Sequence, residues 1–165
     1  MPAGNPVCKK HIEVSDAHHR VAMCRAAIED NPAFDVSTLE VDRAGDTYTV
    51  DTLETLRAHY PENVELYFIA GADAILTLPQ WRDAPRLARL ASFVGLNRPR
   101  SASLQSPQIA KKLAGTGFRT LFVEAPLFEL SSSDIRKRIL GNRSVRYLIP
   151  PAVLEYIESV GLYGD

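Results

Sequence analysis

The chain has 165 residues, of which 45% are hydrophobic and 24% are charged, and its formal net charge is −1. This length and composition are typical of one globular domain with its own core. The balanced charge gives no basic surface for a nucleic-acid backbone, and no apolar run reaches the roughly 18 residues that a membrane helix needs. The opening "MPAGNPVCKK" lacks the apolar centre of a signal peptide. Cys8 and Cys24 form neither a disulfide framework nor a close metal pair. We therefore expect a cytoplasmic protein that binds no membrane and no nucleic acid.

The first third of the chain predicts a helix, a strand and a second helix. In "VSDAHHRVAMCRAAIED" the apolar residues recur at helical spacing, with Ser15 or Asp16 as a candidate cap and Pro32 as a stop. "FDVSTLEVD" alternates and is rich in β-formers, which predicts a strand. "TYTVDTLETLRAHY" has apolar residues on one helical face, which predicts the second helix.

The remaining sequence alternates short apolar runs with helical segments. The runs "VELYFIAG", "SFVGLNRP" and "TLFVEAP" are nearly continuous, which predicts strands buried on both faces of a parallel sheet. The helical segments are "DAPRLARLA", "SPQIAKKLAG", "SSDIRKRILG" and "PPAVLEYIESVG". This alternation predicts an α/β fold, a Rossmann-like parallel sheet with helices on both faces, in one domain over residues 1–165.

The stretch "ELSSSDIRKRIL" places three serines and then Arg136 at the start of a predicted helix. Serine hydroxyls cap the free N–H groups of a helix start, and the same N–H groups attract anions. An arginine one turn into the helix can add a two-pronged contact to a phosphate. From the residues alone, the stretch is either a helix with more caps than it needs or a phosphate site.

Polar residues also follow the predicted strands, in "AGADA", "LNRPR" and "EAPLFELSSS". Ligands of parallel α/β sheets bind at the carboxyl ends of the strands, so these segments predict a ligand site. A nucleotide-binding domain of this class usually opens with a hydrophobic strand and a glycine-rich turn. Here the chain opens with a Pro/Gly-rich loop, Pro2 to Pro6, and proceeds directly to a helix.

Five motifs follow one another in a specific order: "TYTVDTL", "LYFIAGADA", "LPQW", "SSSDIR" and "YLIPPAVLEYI", before the closing "GLY". In this order they resemble the nicotinate-mononucleotide adenylyltransferase family of the nucleotidylyltransferase superfamily, and the resemblance covers essentially the whole chain. It implies transfer of the adenylyl group of ATP to nicotinate mononucleotide in NAD biosynthesis. The products would be nicotinate adenine dinucleotide and pyrophosphate, and Mg²⁺ would assist.

The resemblance also implies the residues of an ATP site. "SSSDIR" resembles the family's "ISSTxIR", which puts Ser131, Ser133 and Arg136 on the phosphates. Lys9 falls where the family has a basic residue that reaches the triphosphate. For Arg136, the alternative is a solvated basic face shared with Lys137 and Arg138.

Four further residues match the family's nucleotide cleft. Thr49 would contact the nicotinate ring or its carboxylate, and Trp81 would stack on that ring. Gly71 and Asp73, counted with the ATP-binding residues, would line the cleft. The alternatives are a core tryptophan, a helix-start hydroxyl for Thr49 and a capping or first-turn acid for Asp73.

One family segment has no counterpart in this sequence. The family begins with a strand and "GTFDPxHxGH", whose histidines bind the triphosphate, and His11, His18 and His19 do not match that motif. We therefore expect a domain that lacks its first strand, helix and strand, contains no catalytic histidine motif and has little or no activity as these 165 residues. A mis-assigned start, a fragment and a truncated gene all fit this expectation.

Two other functions stay open on the sequence. One is a related enzyme such as pantetheine-phosphate adenylyltransferase, against which Trp81 and "TYTVDTL" argue. The other is a non-catalytic fragment that binds a nucleotide or helps another chain to assemble. The expected partners are small-molecule substrates, and assembly into a homo-oligomer also stays open.

Overall fold

The computed structural model describes residues 1–6, 14–97, 111–124 and 130–164. The elements in chain order are β1 (Asn5–Pro6), α1 (Ala17–Ile28), β2 (Asp46–Thr47), α2 (Thr49–His59), β3 (Tyr67–Gly71), α3 (Ala72–Ile75), a 3₁₀ turn (Leu78–Gln80), α4 (Ala84–Leu90), β4 (Ser92–Asn97), β5 (Thr120–Glu124), α5 (Ser132–Leu140) and α6 (Pro151–Ser159). None of the helices in the described ranges combines the length and apolar composition needed to cross a bilayer.

The chain divides into two compact units. The terminal unit comprises Met1–Thr47 and Phe128–Asp165, and the central unit comprises Tyr48–Leu127. The expectation of one domain over residues 1–165 stays a prediction.

Helix α1 packs against α6 in the terminal unit. Val21 of α1 and Val153 and Ile157 of α6 are buried. Cys24 and Ala27, which the helical spacing placed on the same apolar face of α1 as Val21, are exposed, so only part of that predicted face is used for packing. A hydrogen bond of 2.8 Å between His19 Nδ1 and Tyr156 Oη joins the same two helices. Strands β1 and β2 form a short parallel pair, with Asn5 opposite Asp46.

The central unit is built on a parallel sheet in the order β3-β4-β5. One face of the sheet carries Phe68, Phe93 and Phe122, which pack into a core with residues of α2, α3 and α4. Phe93 is fully buried. A Cβ on Gly95 would lie 2.5 Å from the ring of Phe122, so the absence of a side chain lets that ring lie across β4. The three predicted strands and the predicted parallel arrangement are confirmed.

The prediction that these strands are buried on both faces is wrong for the two edge strands. Tyr67 and Ile69 of β3 are 55% and 63% exposed, and Leu121 of β5 is 56% exposed. Successive side chains of a strand point to opposite faces, and the core cluster covers only one face. The Tyr67 phenol on the exposed face donates a 2.7 Å hydrogen bond to Glu65, and this bond to a carboxylate raises the pKa of Tyr67.

The strand predicted for "FDVSTLEVD" is absent, and residues 34–42 form turns and irregular chain. Local hydrogen bonds explain the difference. The amide of Val36 donates to Asp35 Oδ1 at 2.7 Å, the amide of Leu39 donates to Ser37 Oγ at 3.3 Å, and Thr38 Oγ1 donates to Asp42 Oδ2 at 2.7 Å. Short polar side chains that bond their own backbone compete with a sheet ladder, and periodicity does not register that competition.

Candidate functional site

The start of α5 is capped by a single serine, Ser131. Its backbone is extended (φ −114°, ψ 150°), and its Oγ accepts a 3.1 Å hydrogen bond from the amide of Asp134. The same hydroxyl lies 2.5 Å from Asp134 Oδ2, to which it donates. Ser131 therefore serves as the helix cap, and Ser132 and Ser133 are exposed in the first turn of the helix.

Arg136 lies one turn further along α5, on the side of Ser133. Its Nη2 donates to Ser133 Oγ at 3.4 Å, and its Cζ lies 6.0 Å from the centre of the Tyr163 ring. The guanidinium is thus held beside the amino end of the helix, where the helix dipole is positive. Ser133 and Arg136, predicted as neighbours from their spacing, are in contact. Free amides, hydroxyls and a guanidinium in one place can hold an anion such as a phosphate.

Replacing Ser131 with alanine tests its capping role separately from any ligand. We expect Ser131→Ala to lower the free energy of unfolding by about 1 kcal/mol, because the amide of Asp134 loses its acceptor. Ser132→Ala is the matched control and should leave stability unchanged, since Ser132 is not the cap. Chemical denaturation of both variants measures the difference, and equal stabilities would contradict a capping role for Ser131.

Gly71 and Asp73 are brought together in the central unit, where β3 runs directly into α3. Asp73 lies in the first turn of α3, is exposed, and is not its N-cap. Its Oδ1 lies 2.5 Å from the position that a Cβ on Gly71 would take. The carboxylate therefore covers the end of β3, at the carboxyl edge where the fold class places ligands.

Trp81 follows the 3₁₀ turn and is half-buried. Its Nε1 donates a 2.8 Å hydrogen bond to Thr77 Oγ1, and its ring meets Phe68 edge-on, with ring centres 5.8 Å apart. Trp81 is thus both a packing residue on the rim of the core and a residue with free ring surface. Trp81 packs in part against the core, and its stacking on a nicotinate ring stays a prediction.

Thr49 of α2 and Trp81 lie in segments of the central unit that two arginine side chains connect. Thr49 is the first residue of α2, and the helix has no side-chain cap. The guanidinium of Arg82 lies over the ring of Tyr48, 4.3 Å from its centre, and Arg86 of α4 forms an ion pair with Glu54 of α2. The central unit therefore holds the segments of Thr49 and Trp81 together.

Other predicted features fall outside these two groups. Lys9 lies outside the described residues, as do the segment after β4 and most of the segment before α5. In the described part of the chain, no group of three or more His, Cys, Asp or Glu side chains is arranged to share a metal ion.

Comparison with known proteins places the chain in a family. Residues 1–138 match the Cytidylyltransferase-like family. A protein of Roseiflexus sp. (strain RS-1), named "Probable nicotinate-nucleotide adenylyltransferase", is 42% identical over 99% of this chain and 80% of its own length. A protein of the same name from Corynebacterium jeikeium is 43% identical over 99% of this chain and 83% of its own length. The chain belongs to the nicotinate-nucleotide adenylyltransferase family.

Solved structures share the fold of this family member. Nicotinic acid mononucleotide adenylyltransferase of Plasmodium falciparum, complexed with APC, has a TM-score of 0.67 at 23% identity and is matched over 91% of this chain and 77% of its own. The same enzyme complexed with NaAD has a TM-score of 0.65 at 22% identity. The likeness confirms the predicted Rossmann-like α/β class.

Three residues of this adenylyltransferase-family chain make contacts at the candidate site that were not predicted from the sequence. Asp134 completes the cap of α5, and the serine–x–x–acid spacing of Ser131 and Asp134 is the sequence signal that could have found it. Arg82 and Tyr163 contact Tyr48 and Arg136 respectively. No local pattern links those partners, so only the folded chain reveals the contacts.

Proposed function

We propose that the chain, when joined to a segment with the family's GTFDPxHxGH motif, transfers the adenylyl group of ATP to nicotinate mononucleotide, giving nicotinate adenine dinucleotide and pyrophosphate. The observation that carries the proposal is its identity of about 40% over 99% of the chain with proteins named for this activity. The reaction is a step of NAD biosynthesis, and we expect it to take place in the cytoplasm.

The amino end of α5 is assigned to the phosphates of ATP. Ser133 and Arg136 are in contact there, and the cap at Ser131 fixes the first turn of the helix. A guanidinium can donate two parallel hydrogen bonds to a phosphate, and the helix start adds amide donors. Mg²⁺ enters with ATP, held mainly by phosphate oxygens and water. By the family resemblance, Lys9 adds a further cation to this site.

The central unit is assigned to the nucleotide cleft and the nicotinate ring. Trp81 offers its free ring surface to the electron-poor pyridine ring, while its indole N–H stays bonded to Thr77. Thr49 contributes a hydroxyl and an amide at the uncapped start of α2. By the same resemblance, Gly71 and Asp73 line the cleft at the end of β3.

The chemistry needs positioning and charge stabilisation more than proton transfer. The phosphate of nicotinate mononucleotide is already anionic, so its oxygen attacks the α-phosphorus of ATP in line without a general base. A P–O bond forms to the α-phosphorus as the bond to the β-phosphate oxygen breaks, and pyrophosphate leaves with that electron pair. Arg136 and the donors of the α5 start stabilise the phosphoryl oxygens.

A substrate panel tests the proposed function. The chain, preceded by a segment bearing the family's GTFDPxHxGH motif, is incubated with MgATP and either nicotinate mononucleotide or pantetheine phosphate. We expect a dinucleotide and pyrophosphate to form with nicotinate mononucleotide, and chromatography measures both products. The 165-residue chain, assayed in parallel, tests how far turnover depends on that motif.

The alternatives give different outcomes in the same panel. Product with pantetheine phosphate but not with nicotinate mononucleotide would assign the related adenylyltransferase activity instead. Saturable ATP binding without product from either acceptor would support a non-catalytic nucleotide-binding chain. Both outcomes would contradict the proposed reaction.

A further inference from the structure

Tyr163, near the end of the chain, joins two distant parts of the terminal unit. Its hydroxyl lies 2.6 Å from Ser15 Oγ, which precedes α1, and its ring centre lies 6.0 Å from the guanidinium carbon of Arg136 on α5. Arg136 in turn donates to Ser133. These contacts form a series, Ser15–Tyr163–Arg136–Ser133, drawn from three separate segments.

We propose that Tyr163 is a positioning residue for Arg136. An arginine side chain has many rotamers, and an unrestrained one loses conformational entropy when it binds a phosphate. The ring of Tyr163 attracts the guanidinium through a cation–π contact on one side, while Ser133 accepts a hydrogen bond from it. Together they hold the guanidinium beside the helix start before ATP arrives.

Ser15 gives the side chain of Tyr163 an additional support. Tyr163 has a left-handed backbone (φ +65°), which is uncommon for a residue with a side chain and needs support from its surroundings. The hydrogen bond between its hydroxyl and that of Ser15 supplies one such support. Loss of the hydroxyl should therefore matter less than loss of the ring, because the ring makes the contact with Arg136.

This inference rests on the proposed ATP-binding role of Arg136, and a double-mutant cycle separates the two. Binding of MgATP to the 165-residue chain is measured by calorimetry for the parent, Tyr163→Leu, Arg136→Ala and the double variant. We expect Tyr163→Leu to weaken ATP binding by about two- to fivefold. In the Arg136→Ala background, Tyr163→Leu should have no further effect on ATP binding, because the guanidinium that Tyr163 positions is absent.

Two further variants distinguish positioning from general support of the fold. Tyr163→Phe keeps the ring and should retain most of the ATP affinity, and Ser15→Ala should match it. An additive cycle, or equal losses for the Phe and Leu variants, would overturn the inference. If Arg136→Ala itself leaves ATP binding unchanged, the assigned role of Arg136 fails instead, and Tyr163 has no bound group to position.

Discussion

Arg136→Ala is expected to lower kcat/KM for ATP by about 30- to 150-fold, which corresponds to about 2–3 kcal/mol for a lost charge-assisted contact. The guanidinium lies beside the amino end of α5 and contacts Ser133, so its removal takes away a positive charge at the proposed phosphate site. Steady-state kinetics in the protein that carries the GTFDPxHxGH segment measure the change.

Lys137→Ala is the matched control for Arg136. It removes one positive charge from the adjacent position of the same helix, where the lysine is exposed. We expect ATP kinetics close to the parent in this variant, since a solvated cation contributes little to a specific contact. If Arg136→Ala and Lys137→Ala have equal kcat/KM for ATP, "SSSDIR" is only the capped start of a helix with a solvated basic face.

Trp81→Ala is expected to weaken binding of nicotinate mononucleotide by about 1–3 kcal/mol, the range for loss of an aromatic surface that stacks on a base. A moderate loss of stability should accompany it, because Trp81 also packs on Phe68 and bonds Thr77. ATP affinity should change much less. Trp81 is the single tryptophan, so quenching of its fluorescence on titration reports the binding in the parent protein.

Two variants separate stacking from packing at Trp81. Trp81→Phe keeps an aromatic face and should recover most of the affinity, although its hydrogen bond to Thr77 is lost. Tyr60→Ala removes an exposed aromatic side chain of the same unit and should leave binding of nicotinate mononucleotide unchanged. A flat titration of the parent, with equal effects of Trp81→Ala on both substrates, would make Trp81 a packing residue only.

Continuous apolar runs and helix-stop residues were sufficient to predict β3, β4, β5 and most of the helices. These signals are local, since a strand or an amphipathic helix records its own packing in its residues. The segment 34–42 shows the limit of such signals, because its polar side chains accept hydrogen bonds from the nearby backbone and the alternating pattern does not produce a strand. The burial of β3 and β5 was overestimated because composition does not report which face of a sheet is covered.

The candidate site was predictable where a single segment forms it. Ser133 and Arg136 are three residues apart on one helix, so spacing alone brings them together. Gly71 and Asp73 are close in the sequence and share one strand end. Tyr163 was not predictable, since its partners Ser15 and Arg136 lie far from it in the sequence. Such contacts depend on the folded chain.

The most direct test of the proposed reaction follows the α-phosphate of ATP. The protein with the GTFDPxHxGH segment is given nicotinate mononucleotide and ATP carrying radioactive phosphorus in either its α- or its γ-phosphate. Adenylyl transfer predicts that the α-label appears in the dinucleotide and the γ-label appears in pyrophosphate. Release of the γ-label as inorganic phosphate, or transfer of it to nicotinate mononucleotide, would contradict adenylyl transfer.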